Sequence, residues 1–115
     1  MARSGGEMIV DALDRAGVRH VFGIPGVHNL PIYDALYQHP RIKSFVTRHE
    51  QGAAFMADGY ARVSGQPGVA LVTTGPGLTN TVTPVAGAWA DSIPLLVIGT
   101  AGELPLLGKY KGYWH

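Results

Sequence analysis

The chain has 115 residues, of which 46 % are hydrophobic and 15 % are charged, and its formal net charge is +1; this composition predicts one small folded domain with few surface charges. The near-neutral charge argues against nucleic acid as a partner, and the lack of cysteine excludes disulfides and thiolate metal sites. Because no apolar stretch reaches the length of a membrane span or a signal-peptide core, we expect a cytoplasmic protein without a membrane partner.

Helices and strands alternate in the elements that the sequence predicts. The predicted helices cover the segment from a Ser-x-x-Glu capping box at Ser4 as far as Gly17 and residues 30–37, 51–63 and about 78–90. The predicted strands cover residues 18–22, 42–46, 68–73 and 94–98. This alternation is typical of an α/β fold, in which a parallel sheet is covered by helices on both faces. Because the last two strands are almost continuously apolar, we expect both of them to be buried.

The carboxyl ends of the strands are where a parallel α/β sheet binds its ligands. The segments that follow the four predicted strands are residues 23–28, 48–50, 73–77 and 99–102. Three of them contain glycines suited to tight turns, and the other is Arg48-His49-Glu50. We therefore expect the functional residues to come from these segments.

Three familiar motifs are present only in part. Gly75-Pro76-Gly77 begins like a dinucleotide-binding fingerprint, but the third glycine and the acidic residue after the next strand are missing. His49-Glu50 begins a zinc-protease motif, but position 53 is alanine instead of histidine. Residues 102–109 resemble a phosphate loop only loosely, with the wrong spacing. These departures disfavour a dinucleotide dehydrogenase and a metal site within this chain.

Glu50 has two interpretations. It lies where a predicted strand gives way to a predicted helix. The helix dipole favours an acidic residue in any first turn, so the role could be structural; the alternative is a functional carboxylate.

A stripe of small side chains, Ala53, Ala57 and Ala61, follows on the same predicted helix. Small side chains let another element approach closely. The stripe either packs on the sheet or meets a helix of a second subunit, and we expect the second arrangement.

Five short motifs occur in order along the chain. They are Gly23-Ile24-Pro25-Gly26, Arg48-His49-Glu50 with Ala53-Ala54, Asp58-Gly59-Tyr60-Ala61-Arg62, Thr74-Gly75-Pro76-Gly77 with Asn80, and Ala90-Asp91-Ser92 with Pro94. The ordered set resembles the pyrimidine-binding domain of the thiamine-diphosphate-dependent acetolactate synthase, benzoylformate decarboxylase and pyruvate decarboxylase superfamily. The resemblance covers roughly residues 5–100 and implies that residues 1–115 are a partial pyrimidine-binding domain of a longer enzyme.

The resemblance also implies roles for individual residues. In that superfamily the glutamate that matches Glu50 hydrogen-bonds nitrogen N1′ of the cofactor's aminopyrimidine ring, so Glu50 is the expected catalytic residue. Pro25 and Gly26 match positions beside the ring, and Thr73 and Pro76 match the loop that supports it. Tight turns alone would also account for these prolines and glycines.

The superfamily holds the cofactor's diphosphate through Mg²⁺ on a Gly-Asp-Gly segment in a separate domain. This sequence has no counterpart of that segment, because Asp58-Gly59 lacks the preceding glycine. The resemblance therefore implies that thiamine diphosphate and Mg²⁺ also require a diphosphate-binding domain absent from this chain. It further implies a homodimer or tetramer with the cofactor at the subunit interface, and little activity for these residues alone.

Two histidines are candidates for a substrate pocket. His28 departs from the acetolactate synthase pattern, and some carboligases and decarboxylases have a polar residue near this point that faces the substrate; a solvated side chain is the alternative. His115 lies where some decarboxylases have pocket histidines. We assign Arg48 and Arg62 to ion pairs.

The first interpretation of function is an acetolactate-synthase-like decarboxylase or carboligase acting on a small 2-oxo acid. A decarboxylase of a larger 2-oxo acid comes next, because of His28. A non-catalytic module that retains the fold is the rival from another class, and the presence of Glu50 argues against it.

Overall fold

The computed structural model describes residues 2–109. Its helices are α1 (Gly5–Arg15), α2 (Leu30–Tyr37), α3 (Glu50–Ser64), α4 (Pro76–Thr79) and α5 (Val82–Ala90). Its strands are β1 (His20–Gly23), β2 (Lys43–Val46), β3 (Gly68–Val72) and β4 (Leu95–Gly99), and short 3-10 turns cover Val27–Asn29 and Leu104–Leu106. Each predicted element is present, but the last predicted helix is divided into α4 and α5.

The four strands form one parallel sheet in the order β2-β1-β3-β4. In the middle of the sheet, Phe22 of β1 lies between Phe45 of β2 and Ala70 of β3. The predicted α/β parallel-sheet fold is thus confirmed. Since all strands run in the same direction, their carboxyl ends lie along one edge.

The sheet has a core on each face. One core contains apolar side chains of α1, α2, β1 and β3 and of the residue just before β2, namely Val10, Leu13, Val21, Ile32, Ala35, Leu36, Ile42, Val69 and Leu71. The other lies between α3 and the sheet and contains Phe22, Ala53, Ala54, Ala57 and Ala70. Helices therefore cover both faces, as the apolar strands require.

The two outer strands differ from the central ones in burial. All five residues of β3 are buried, as predicted, but β4 is only partly buried and Leu96 is 44 % exposed. The prediction that β4 is buried like β3 is therefore wrong. The physical reason is position: among residues 2–109, β4 pairs only with β3 and forms an edge of the sheet.

The alanine stripe of α3 packs on the sheet. Ala53, Ala57 and Ala61 are all buried within the chain itself. Gly68 at the start of β3 explains the fit, since a Cβ atom built on it would lie 1.9 Å from the backbone oxygen of Ala57. The prediction that this stripe meets a second subunit is therefore wrong: the methyl groups let α3 lie directly against β3.

Among the helices of residues 2–109, none combines the length and apolar character needed to cross a membrane.

Candidate functional site

The carboxyl edge of the sheet brings together residues that are far apart in sequence. The segments after β1, β3 and β4 and the start of α3 meet there, as the topology requires. The residues that carry the contacts are Gly26, His28, Asn29, Glu50, Thr73, Thr74, Gly77, Asn80 and Thr100. All four segments predicted from the strand ends thus contribute to one region.

Two glycines lie against the side chain of Thr73. A Cβ atom built on Gly26 would lie 2.7 Å from both Cβ and Oγ1 of Thr73, and one built on Gly77 would lie 2.9 Å from Thr73 Cγ2. Both distances are too short for a real Cβ, so the two loops can approach Thr73 only as glycines. The hydroxyl of Thr73 is buried and has no hydrogen-bond partner within the described part of the chain.

Asn29 holds the loop that contains Pro25 and Gly26. The Asn29 side chain is fully buried, accepts a hydrogen bond from the Gly26 amide at 2.7 Å and donates one to the Ile24 carbonyl at 3.1 Å. Sequence reasoning missed this residue. An asparagine three residues after a Pro-Gly turn was the available signal, because its side chain commonly bonds nearby backbone.

Glu50 is the first residue of α3. His49 caps the helix by accepting the Gln51 amide on its ring nitrogen Nδ1 at 3.1 Å. The Glu50 carboxylate therefore lies at the positive end of the helix dipole. Its Oε2 accepts a hydrogen bond from Nδ2 of Asn80 at 2.9 Å.

The second oxygen of Glu50, Oε1, accepts no hydrogen bond from residues 2–109, and Glu50 forms no ion pair with them. Gly77 lies beside this oxygen, since a Cβ atom built on Gly77 would be 3.7 Å from Oε1. The carboxylate is half-buried. It thus has one oxygen held by a neutral amide and one oxygen open to a ligand.

Pro25 and Pro76 are exposed at the edge of this region, each directly before a glycine that contacts Thr73. Pro76 is the first residue of α4, where its missing N–H is not needed. Gly75 precedes it with φ 65° and ψ −118°, a backbone conformation that requires glycine. The predicted site residues Pro25, Gly26, Glu50, Thr73 and Pro76 are therefore neighbours in space.

His28 reaches the same edge from the turn after β1. Its Nδ1 lies 2.8 Å from Oγ1 of Thr74, and that hydroxyl lies 3.4 Å from Oγ1 of Thr100. His28 is thus half-buried and held by Thr74, while its role in a substrate pocket stays a prediction. His115, the other predicted pocket histidine, lies outside the described residues.

Arg62 and Arg48 differ in whether they form ion pairs with residues 2–109. Arg62 forms the predicted ion pairs, with Asp58 and Asp91, both at 2.8 Å. The hydrogen bonds that Arg62 donates, first to Asp58 and then to Asp91, raise its pKa above the usual range. Arg48 is exposed and forms no ion pair with residues 2–109, so its pairing stays a prediction.

The region can supply a proton-sharing carboxylate and a tightly packed backbone. Within residues 2–109, no three His, Asp or Glu side chains cluster to hold a metal ion. A carboxylate with one free oxygen and no ion-pair partner among residues 2–109 is suited to a hydrogen bond with a ring nitrogen. Gly26 and Gly77 let their two loops pack closely on Thr73.

Residues 3–113 match the family model described as "Thiamine pyrophosphate enzyme, N-terminal TPP binding domain". The chain belongs to this family. The resemblance read from the five sequence motifs is thereby confirmed, and a thiamine-diphosphate-binding domain agrees with the unpartnered carboxylate oxygen and the glycine loops beside it.

Relatives in this family include named enzymes. The chain is 54 % identical over 112 residues to the probable 2-ketoarginine decarboxylase AruI of Pseudomonas aeruginosa. It is 52 % identical over 105 residues to an acetolactate synthase of Arthrospira platensis, and 49 % identical over 102 residues to the mitochondrial acetolactate synthase catalytic subunit of Saccharomyces cerevisiae.

These alignments include most of the chain but little of the relatives. They cover 97 %, 89 % and 89 % of the chain, in the same order, and 20 %, 18 % and 15 % of the three relatives. The chain thus spans about a fifth or less of the length of the curated relatives it matches.

Asn29 offers a test of how the site loop is built. Replacing Asn29 with Ala removes both hydrogen bonds and leaves the Gly26 amide and the Ile24 carbonyl without their partner. We expect a loss of about 2–4 kcal/mol in the free energy of unfolding, since two buried backbone groups lose their hydrogen bonds. Urea denaturation measures this, with Gln38→Ala, at an exposed position, as the control. Equal stability of the two variants would contradict the role of Asn29.

Proposed function

We propose that this chain is the cofactor-activating part of a thiamine-diphosphate-dependent decarboxylase or carboligase of 2-oxo acids. The observation that carries the proposal is the Glu50 carboxylate, with Oε2 held by Asn80 and Oε1 free of protein partners among residues 2–109. The family match and the relatives named above support the same class of enzyme. A non-catalytic module would have no need of such a carboxylate.

The residues that would hold the aminopyrimidine ring are Pro25, Gly26, Glu50, Thr73 and Pro76. The support is their arrangement: Gly26 and Gly77 both pack on Thr73, and Pro25 and Pro76 directly precede these glycines. Glu50 lies within the same small region, since its Oε1 is next to Gly77.

Glu50 would act by sharing a proton with ring nitrogen N1′. When bound, thiamine diphosphate supplies a thiazolium carbon that adds to the carbonyl of a 2-oxo acid and accepts the electrons released on decarboxylation. The contribution of Glu50 is to hold a proton at N1′ through Oε1, which makes the aminopyrimidine a better base toward that carbon. Among residues 2–109, the side-chain amide of Asn80 is the hydrogen-bond partner of this carboxylate, which leaves Oε1 for N1′.

The diphosphate and Mg²⁺ would be held by a domain outside residues 1–115. In support, Asp58-Gly59 lacks the preceding glycine of a Gly-Asp-Gly segment. A cytoplasmic location stays a prediction from the sequence; the relatives include mitochondrial enzymes by name.

For the substrate we propose, first, a small 2-oxo acid in an acetolactate-synthase-like reaction, as the named acetolactate synthases suggest. A second candidate is decarboxylation of a larger 2-oxo acid. It is supported by His28, which is fixed at the carboxyl edge by Thr74, and by the 54 % identity to a relative named as a probable 2-ketoarginine decarboxylase.

For the partner we propose a second copy of the full-length chain, packed on the outer face of α3 and α5. This face exposes Phe55, Met56 and Trp89, and Met56 is 46 % exposed. Gly52 and Gly59 lie inside α3 with open space where a Cβ would be. Glycine inside a helix is unfavourable, by about 0.5–1 kcal/mol relative to alanine, so a close approach from outside would explain both positions.

The first prediction from this proposal concerns Glu50. In the full-length enzyme, we expect Glu50→Gln to slow C2 proton exchange of the bound cofactor by about 10²–10⁴, or about 3–5 kcal/mol of barrier. An amide cannot share an acidic proton with N1′, although its size preserves the fold. Proton–deuterium exchange followed by NMR after acid quench measures the rate.

Glu7→Gln is the matched control, because Glu7 is an acidic residue in the first turn of α1. A structural Glu50 would act only through the helix dipole and affect stability by about 1 kcal/mol or less. Wild-type exchange in a folded, cofactor-loaded Glu50→Gln enzyme would refute the catalytic role.

His28 separates the two substrate candidates. If it binds a polar group of a larger 2-oxo acid, His28→Ala should lower kcat/KM for that acid relative to pyruvate by about tenfold or more, because a hydrogen-bonding site discriminates strongly. Steady-state kinetics of the full-length enzyme with pyruvate and with 2-oxo-5-guanidinopentanoate test this, with His39→Ala as the control. An unchanged ratio of the two kcat/KM values would remove His28 from the substrate site.

The proposed partner face is tested by Met56→Glu. We expect a charge at this position to weaken self-association of the full-length protein, since an unpaired charge is costly in an apolar interface. Sedimentation velocity over a dilution series measures the effect. Tyr37→Glu, on α2 at the opposite face and also exposed, should not change it. Equal association of the two variants would show that the partner binds elsewhere.

A further inference from the structure

Asn80 links two parts of the chain that the fold brings together. It ends α4, where its backbone amide donates to the Pro76 carbonyl at 2.9 Å. Its side-chain amide points away from its own loop and donates to Oε2 of Glu50, 30 residues earlier in the sequence, at 2.9 Å. The backbone contact fixes Asn80, and the side-chain contact therefore fixes Glu50.

The side chain that holds Glu50 is a neutral amide, and this affects how Glu50 can share a proton. A lysine or arginine at position 80 would hold the carboxylate ionised and oppose the sharing of a proton with a ligand. A primary amide donates a hydrogen bond without bringing a charge. Asn80 is thus suited to orient Glu50 while leaving its proton available.

The hydrogen bond from Asn80 also makes the two carboxylate oxygens of Glu50 different. While Nδ2 of Asn80 donates to Oε2, a proton on that oxygen would meet a second proton in the same contact. Oε1 has no such donor among residues 2–109, and it lies beside Gly77, which has no side chain to block it. A proton carried by Glu50 is therefore favoured on Oε1.

We propose that Asn80 is a positioning residue that holds Oε2 of Glu50, so that Oε1 carries the proton shared with the ligand. This inference rests on the proposed function, because it assumes that Glu50 shares a proton with the cofactor. Nothing in it requires Asn80 to touch the cofactor. The residue acts through Glu50 alone.

The test uses the full-length protein loaded with thiamine diphosphate and Mg²⁺. We expect Asn80→Ala to slow C2 proton exchange by about 10- to 100-fold, as when a reacting group is displaced by about 1 Å. Asn80→Ser should do the same, because its shorter side chain cannot reach Oε2, and it provides a second variant if alanine prevents folding. Thr79→Ala is the control, since Thr79 is exposed on the same short helix.

Two further measurements separate positioning from a general structural effect. Calorimetric titration should give a nearly unchanged dissociation constant for thiamine diphosphate in Asn80→Ala. Crystals of the cofactor-free variant should show the Glu50 carboxylate turned from the orientation in which Oε1 lies beside Gly77. In the Glu50→Gln background, Asn80→Ala should slow exchange little further, because the two changes remove the same contribution.

The outcomes distinguish this inference from the proposed function. If Glu50→Gln slows exchange but both Asn80 variants exchange at the wild-type rate, the positioning role is overturned and Glu50 remains catalytic. If the full Asn80→Ala effect persists in the Glu50→Gln background, Asn80 does not act through Glu50 and the inference is also overturned. If Glu50→Gln itself exchanges normally, the proposed function is overturned.

Discussion

The close packing of two loops on Thr73 is the constraint on which the rest of the candidate site depends. Gly26 approaches its side chain from the segment after β1, and Gly77 approaches it from the segment after β3 itself. Only residues without a Cβ can pack this closely. Both loops are thereby held against the same side chain, and Glu50 at the start of α3 lies beside the second of them, at Gly77 and Asn80.

The polar groups of this region are mostly neutral. Amides and hydroxyls of Asn29, Thr74, Asn80 and Thr100 make the contacts described, and Glu50 has no cationic partner among residues 2–109. Several arginines are paired elsewhere. Arg3 bonds Asp11, Arg41 bonds Asp14 and Arg62 bonds Asp58, and the hydrogen bond from Arg3 lowers the pKa of the Asp11 carboxyl. The Glu50 carboxylate at the carboxyl edge is thus left without an ion-pair partner among residues 2–109. This is unfavourable unless a ligand uses the charge.

The sequence predicted the fold well because local patterns determine most of it. The capping box at Ser4 is formed, and α2 covers the predicted residues 30–37. The predictions that failed concern contacts between residues that are distant in sequence. The alanines of α3 have the same spacing whether they face a sheet or another subunit, and only the contact with Gly68 decides between these. Likewise, the apolar sequence of β4 does not say that it lies at an edge.

The two asparagines of the site also show that a local sequence pattern does not predict contacts with distant residues. Asn29 and Asn80 each follow a Pro-Gly pair by three residues. Asn29 turns back and bonds its own loop, whereas Asn80 bonds a glutamate of another segment. The local pattern is identical, so the sequence alone could not assign their roles. The family motifs identified Glu50 and the glycines, but only the three-dimensional arrangement gives Glu50 a partner.

The parallel pairing of β1 with β3 also has a consequence for the order of events during folding. These strands are neighbours in the sheet, yet β2 and α3 lie between them in the chain, and the His28–Thr74 contact joins residues 46 positions apart. Closing a loop of this length costs chain entropy before any contact at the carboxyl edge can repay it. Contacts of high sequence separation form slowly, so the helices and the β1–β2 unit can form before the site exists. We therefore expect the site to form late in folding, so that its contacts would report completion of the sheet.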